Sequence, residues 1–466
     1  MNQSKCKYNV PLREVLVAVN EKPAGTAFIV DEKDKLCGIF TDGDLRRLLL
    51  KGRNLEDKLL KEDLGAFVYA EEGESIEALI KKTNKIIKII PIVNREGHLI
   101  DYFRNEHKTH FTPIAEPKLK NKEFEYLMDA FASTWISSRG KYIDQFEENF
   151  AQYIGVNHGV ATSNGTVAIH LALKALNIGE GDEVIIPDIT FAATANAVLL
   201  ANATPVIVDV EEEYWTIDPA AIEAAIGPNT KAIMPVHVYG QACDMGAIMK
   251  LAQKHNLRVI EDSAEAHGAE FEGQKVGSFG DISTFSFFAN KIITTGEGGM
   301  CLTNSAELDE RMRVLRDHGM NKQKRYWHDE VGFNYRMTNL QAAIGCAQLE
   351  EIDNIIKRNN EIEQSYIEKL DDLKLFDWQT TTENRKKVVW LVAALSHKKE
   401  AISKVLQANN IDVRPFFYPL TDMPVFAPYA HGENKISKKL SERGLNLPTV
   451  EQVDFDKVYE LLKTIS

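Results

Sequence analysis

Cysteine is scarce, with five in 466 residues. Cys6, Cys37, Cys243, Cys301 and Cys346 are odd in number and form no Cys-x-x-Cys pair, so neither a disulfide framework nor a zinc site is expected. Long apolar runs are missing too. No stretch of about 18 apolar residues occurs, which excludes a transmembrane helix. Met1-Asn-Gln-Ser-Lys5 lacks the apolar core of a signal peptide, so a cytoplasmic chain is expected. Positive charge is in deficit: 55 Lys and Arg face 68 Asp and Glu, a net charge of −13 that argues against a nucleic-acid-binding surface. Lys81, Lys82, Lys85 and Lys88, and likewise Lys118, Lys120 and Lys122, then read as solvated faces. His107 and His110 gather no further ligands around them, so no metal is expected. What remains is an ordinary globular composition, 44% hydrophobic, on a chain long enough for more than one domain.

From residue 183 onward, short β-rich runs alternate with helical patterns. Glu183–Pro187 and the runs at 205–209, 231–236, 257–262 and 282–287 are the strand candidates. Such alternation predicts an α/β domain with a mostly parallel sheet covered by helices. A long helix over 339–362 is expected to lead into a smaller α+β region.

Within this pattern, Ser286-Phe-Phe-Ala-Asn-Lys291-Ile-Ile-Thr-Thr-Gly296-Glu-Gly298-Gly299 holds one lysine between an apolar strand and a Thr/Gly turn. A lysine in a buried loop is what a pyridoxal 5'-phosphate (PLP) enzyme needs to hold its cofactor as a Schiff base. Gly165-Thr166 opens a helical pattern whose free N–H groups suit a phosphate, although a threonine N-cap gives the same signature. Asp262 ends the expected strand at 257–262, where acids face the ligand crevice of α/β sheets and where one can pair with a pyridine nitrogen. A helix N-cap at Asp262 or Ser263 explains that acid equally well.

Six motifs in one order carry a resemblance: Gly165-Thr166, Pro187-Asp-Ile-Thr-Phe191, Glu261-Asp262-Ser-Ala-Glu265, Ser286 with Lys291 five residues on, Thr295-Gly-Glu-Gly-Gly299, and Gly332-Phe-Asn334-Tyr-Arg336. Over about residues 108–466 the chain resembles the StrS/DegT-type nucleotide-sugar aminotransferases. The resemblance implies a fold-type-I aminotransferase, with a large cofactor domain at 118–345 and a small α+β domain at 346–466. It implies that Lys291 forms the Schiff base and shuttles the proton, that Asp262 pairs with the pyridinium nitrogen, and that Phe191 lies against the ring. Gly165, Thr166 and Ser286 would hold the phosphate, with Asn334 reaching it from a neighbouring subunit, so that a homodimer or higher homo-oligomer is needed for activity. Glu265 stands where many members carry glutamine near the pyridoxal 3-oxygen. The implied reaction moves an amino group from L-glutamate to a keto-sugar nucleotide. The segment Asp412-Val-Arg414-Pro-Phe-Phe-Tyr418-Pro is similar to GDP-perosamine-synthase-type members, which aminate C4 of a 4-keto-6-deoxyhexose. Arg414 is a diphosphate candidate or a structural partner of Asp412, and His318 is a substrate candidate or a hydrogen-bonded structural histidine. The nearest rival is a PLP-dependent sugar 3-dehydratase. It carries histidine in place of the lysine, and Lys291 argues against it. A PLP-dependent transcription regulator lacks its basic helix-turn-helix here. A silent nucleotide sensor is disfavoured by the intact lysine, aspartate and phosphate set.

The first part of the chain is a different object. Ala27-Phe-Ile-Val-Asp31 with Leu36-Cys-Gly38-Ile-Phe-Thr41-Asp-Gly-Asp44 is echoed by Ile89-Ile-Pro-Ile-Val-Asn94 with Gly97-His-Leu-Ile-Asp-Tyr-Phe103, which predicts two copies of a strand-turn-strand-helix unit. With Gly38 set against Gly97, residues 1–106 resemble a tandem cystathionine-β-synthase-type (CBS) pair, a module that often binds adenine nucleotides. Thr41 and Asp44 match the family's ribose-and-phosphate pattern, while Ile100 and Phe103 take those places in the second copy. At most one adenine nucleotide per chain is implied, and an assembly module without ligand is the alternative. A linker is expected at 107–117, where prolines interrupt the patterning.

Overall fold

The computed structural model describes residues 5–20, 25–83, 87, 89–104, 111–119 and 122–465. His107, His110, Lys85, Lys88, Lys120 and the first four residues lie outside them. The chain divides into two compact units, Met1–His110 and Phe111–Ser466. No helix is long and apolar enough to cross a membrane, and no cluster of metal-ligating side chains occurs, among the described residues.

The first unit contains the expected repeat. Lys5–Lys7 pairs parallel with Thr26–Val30, which pairs antiparallel with Leu36–Thr41; Ala70–Glu71, Ile89–Val93 and Leu99–Arg104 reproduce that arrangement. Even the register shift recurs, at Ile29/Val30 and Ile92/Val93. These equivalences correct the alignment drawn from the glycines. Asp31 accepts the Lys33 and Lys35 N–H groups at one turn, and Asn94 accepts those of Glu96 and His98 at the other, so the copies are 63 residues apart. Gly38 sits inside a strand under Leu64, whereas Gly97 takes φ +86° in a turn, the place that Asp34 occupies at φ +61° in the first copy. The two glycines do different work, and only the turn needs the left-handed region. The counterpart of Thr41 is therefore Arg104 rather than Ile100, and that of Asp44 is His107, outside the described residues.

The second unit is built on a seven-stranded sheet in the spatial order His158–Thr162, Gly299–Thr303, Ile282–Ser286, Arg258–Asp262, Thr230–Ile233, Glu183–Pro187, Thr204–Val208. Only Gly299–Thr303 runs against the rest. The strands read as apolar runs because both faces are covered. Val184 and Ile186 point into one apolar core with helices Gly165–Ala175 and Ala193–Leu200, and Ile185 points into another with Phe146, Phe150, Phe285 and Phe287. Buried Glu147 ties three elements together, accepting from the Ala161 N–H (2.8 Å), Arg313 Nη1 (2.7 Å) and Arg316 Nη1 (2.6 Å). Removing that carboxylate would take the ion-pair partner from Arg316 and one of two from Arg313, which keeps Asp309.

The helix expected over 339–362 is two helices, Asn339–Glu350 and Ile352–Leu370, broken at Glu351 (φ −107°, ψ 3°). The first has no single apolar stripe, because Ala342, Ala343, Gly345, Cys346 and Ala347 are buried around most of its girth. The second buries one stripe, Ile352, Ile355, Ile362, Tyr366 and Leu370, and leaves its other side in solvent. Two environments require two axes. A four-stranded sheet, Asp377–Trp378, Val392–Leu395, Gly444–Leu447 and Arg414–Pro415, completes the C-terminal part. Part of the expected linker docks on it: Thr112 N–H donates to the Asn410 carbonyl (2.8 Å), and Thr449 N–H donates to the Ile114 carbonyl (2.8 Å).

Candidate active site

A cavity of about 540 Å³ opens at the carboxyl ends of the parallel strands, and Gly165, Thr166, Phe191, Asp262, Glu265, Ser286 and Lys291 all line it. Asn164 caps helix Gly165–Ala175 by accepting the Val167 N–H (3.0 Å), which leaves the N–H groups of Gly165 and Thr166 without intrahelical partners at the cavity wall. A Cβ on residue 165 would lie 2.8 Å from Ser286 Cβ. Glycine there lets the helix N-terminus and the Ser286 strand end close into one anion cradle.

The two acids of Glu261-Asp262 face opposite ways, as neighbours on a strand must. Glu261 turns into the protein and accepts the N–H groups of Gly277 (2.7 Å), Phe279 (2.8 Å) and Gly280 (2.8 Å). His237 joins it: Cys243 N–H donates to His237 Nδ1 (3.1 Å), so the ring proton sits on Nε2, 3.2 Å from Glu261 Oε2. Asp262 turns into the cavity. Its Oδ2 accepts from Thr194 Oγ1 (2.8 Å) and its Oδ1 from the Ala264 N–H (3.2 Å). Burial raises the Asp262 pKa, and these donors, with Lys291, pull the other way.

Lys291 Nζ lies 3.6 Å from Glu265 Oε1. Burial lowers the lysine pKa, opposed by Glu265 and Asp262. Burial also pushes Glu265 up to about 6, opposed by Lys291 and by the Tyr239 N–H, which donates to Oε2 at 2.9 Å. A carboxyl so placed takes up a proton at higher pH than an exposed one, and while it is ionised the Lys291 ammonium beside it offsets its charge. His267 is held neutral, pushed by burial down to about 3, and its Nε2–H donates to the Ser286 carbonyl (2.9 Å), steadying the cradle from behind. Phe191 keeps 61% of its surface exposed at the mouth.

This donor set fits PLP: an anion cradle at one end, a buried acid at the other, a lysine between them and an aromatic face at the opening. A family model described as the DegT/DnrJ/EryC1/StrS aminotransferase family matches residues 117–466. The chain belongs to that family. It is a PLP-dependent sugar aminotransferase by membership, with a CBS domain matched at residues 5–51. It is 47% identical over 362 residues to the GDP-perosamine synthase of Caulobacter vibrioides, covering 76% of this chain and 97% of that one. It is 44% identical to the GDP-perosamine synthase of Escherichia coli O157:H7, covering 76% and 98%. Among solved structures, S. venezuelae DesV in complex with a ketimine intermediate matches with a TM-score of 0.70 and 32% identity, covering 74% of this chain and 94% of that one.

Three candidates from the sequence do not line the cavity. Asn334 is exposed and accepts from Arg336 Nε (3.0 Å). His318, at φ +63°, gives its carbonyl to the His328 ring. Arg414 forks onto Asp412 Oδ2 (3.1 and 3.0 Å). In the first unit, Thr41 and Asp44 form a capping box on helix Asp42–Leu50, with Thr41 Oγ1 donating to Asp44 Oδ2 (2.7 Å). Sequence reasoning missed Thr194, Tyr239 and Trp390. Thr194 had a signal, three residues after Phe191, one helical turn on; Trp390 had none, being 99 positions from Lys291.

Proposed function

We propose that this protein transfers the amino group of L-glutamate to C4 of a GDP-linked 4-keto-6-deoxyhexose, in the cytoplasm, for a surface polysaccharide. The observation that carries the reading is the convergence of Lys291, Asp262 and the Gly165–Ser286 cradle on one cavity, in a chain 47% identical to a GDP-perosamine synthase. PLP, when bound, supplies an electron sink that makes a neighbouring C–H bond acidic. The chain's residues do the rest. Lys291 would tether the cofactor, and its amine, once free, would carry the proton from the donor's α-carbon, for which burial favours the neutral form. Asp262 would offer its carboxylate to the ring nitrogen, Gly165, Thr166 and Ser286 would hold the phosphate, and Glu265 would stand near the 3-oxygen. The test is a half-reaction: enzyme in its amine-loaded form is mixed with GDP-, dTDP- and UDP-linked 4-keto and 3-keto sugars while the cofactor absorbance is followed. The GDP-linked 4-keto sugar is expected to react fastest, and reaction with 3-keto sugars alone would reject the C4 assignment.

Asn334, exposed on its own subunit, serves the phosphate of a partner's site, which makes a homodimer the active unit. Inactive Lys291→Ala protein mixed with inactive Asn334→Phe protein should regain up to about a quarter of wild-type activity after random subunit exchange, because one site of the heterodimer carries neither lesion. No recovery despite proven exchange would place Asn334 within its own chain's chemistry.

The CBS unit binds one adenine nucleotide at Thr41 and Asp44, beside the start of helix Asp42–Leu50. Calorimetry with AMP, ADP and ATP should show one site per chain, weakened at least about tenfold in Asp44→Ala, roughly the loss of one charge-assisted hydrogen bond. Absence of heat and of thermal stabilisation with all three nucleotides leaves the unit as an assembly module.

A further inference from the structure

Trp390 is held more firmly than a side chain that only fills space. The segment before it is pinned on two sides. Val388 N–H donates to the Gly240 carbonyl (3.2 Å), and a Cβ on residue 240 would lie 1.8 Å from the Val388 carbonyl oxygen, so only glycine allows that approach. Val389 donates its N–H to Asn360 Oδ1 (3.0 Å) and accepts from Asn359 Nδ2 (2.9 Å), both on helix Ile352–Leu370. The indole itself, 7% exposed, donates Nε1–H to the carbonyl of Asn290 (2.8 Å), the residue before Lys291. Lys291 Nζ stands 3.9 Å from the indole ring centroid. Tyr239 lies nearly parallel to the indole (18°, centroids 6.0 Å apart) and gives its N–H to Glu265, so indole and carboxylate share one support.

We propose that Trp390 is a positioning residue for Lys291: its indole face is the resting place of the ε-ammonium whenever that nitrogen is not bonded to the cofactor, and its N–H fixes the backbone from which the lysine swings. A ring face attracts an ammonium through its quadrupole and has far less hold on a neutral amine. Trp390 therefore favours the protonated lysine and offsets part of the cost of burying it. An amine that is released and recaptured in each catalytic cycle is thereby parked within reach of the cavity. Glu265 and Asp262 also face this amine from the cavity and His267 lies behind it, while Lys118, Glu116 and Arg358 line a chamber of about 30 Å³ that Lys291 and Trp390 border from the other side. The consequence for turnover rests on the reading of Lys291 as the cofactor lysine. The interaction is measurable without cofactor.

The test uses full-length cofactor-free protein as wild type, Trp390→Leu and Trp390→Phe, with Lys291 acylation followed against pH by peptide mass spectrometry. In Trp390→Leu the midpoint should fall by about one pH unit, a tenfold loss of proton affinity, and in Trp390→Phe by less than about half of that. Hydrogen exchange over 288–295 should quicken in both variants, since both lack the indole N–H. A ring-fluorinated tryptophan in place of all five tryptophans keeps shape and N–H while weakening the quadrupole. It should lower the midpoint without quickening exchange, and it decides the matter if Trp390→Leu does not fold. An unchanged midpoint in the fluorinated protein, or equal shifts in Leu and Phe, overturns the proposal. Failure of every keto-sugar nucleotide to react would leave this titration untouched, and an unmoved midpoint would leave the substrate assignment untouched.

Discussion

Lys291→Ala protein should fold, bind PLP only reversibly and lose amino transfer by more than about 10⁴-fold, because both the tether and the proton carrier go with one side chain. Folding should survive because the lysine amine is buried at an energetic cost, visible in its lowered pKa, and the truncation relieves that cost. Glu265, left without its cation, then holds its proton more tightly. The measurement has two arms. Borohydride treatment of wild type should fix the cofactor to the peptide containing Lys291 and to no other, and the variant should show no fixed cofactor and no turnover. Cofactor recovered on another lysine, or a variant that still transaminates, defeats the assignment. Of the other lysines near the cavity, Lys118 borders only the small chamber behind Lys291.

Asp262→Asn should bind PLP with little loss and turn over on the order of 100-fold more slowly or worse. The substitution keeps the shape: the amide oxygen can accept the Ala264 N–H while the amide NH2 donates to Thr194 Oγ1, whose hydroxyl can turn to donate to Thr190 Oγ1, so the pocket has no reason to collapse. It removes the negative charge that would hold a proton on the ring nitrogen, and with it the electron sink. Kinetics should show the loss mainly in kcat, since the interaction strengthens as charge develops on the ring. Near-normal turnover would mean that another group partners the nitrogen. Glu261, the neighbouring acid, is no substitute, because three backbone N–H groups hold it on the far side of the strand.

Much of this site was legible because its parts are local. Ser286 and Lys291 lie five residues apart at one strand end, Gly165-Thr166 opens a helix, and Asp262 closes a strand. Short-range patterning determines where a strand stops and which way alternate residues face, so a lysine, an acid and a helix start at the same end of a parallel sheet are committed to a common crevice. The composition likewise excluded a disulfide framework and an apolar span before any fold was known.

Other features depended on packing between distant segments, which no local pattern records. The repeat in the first unit was visible, but its offset was settled by matching turns and bulges, since Gly38 and Gly97 serve different backbone needs. Which of two adjacent acids enters the cavity was decided by the Gly277–Gly280 loop, whose N–H groups claim Glu261. The break at Glu351 follows from one helix entering a core and the next lying on a surface. Trp390 reaches Lys291 only because Gly240 lets the Val388 backbone pass within hydrogen-bonding range. The sequence alone determined the elements, their order and the chemistry at their ends, all set by short-range backbone and side-chain preferences. The tertiary structure alone decided which side chains from far along the chain meet there, because close packing selects those contacts only when the whole sheet and its covering layers are in place.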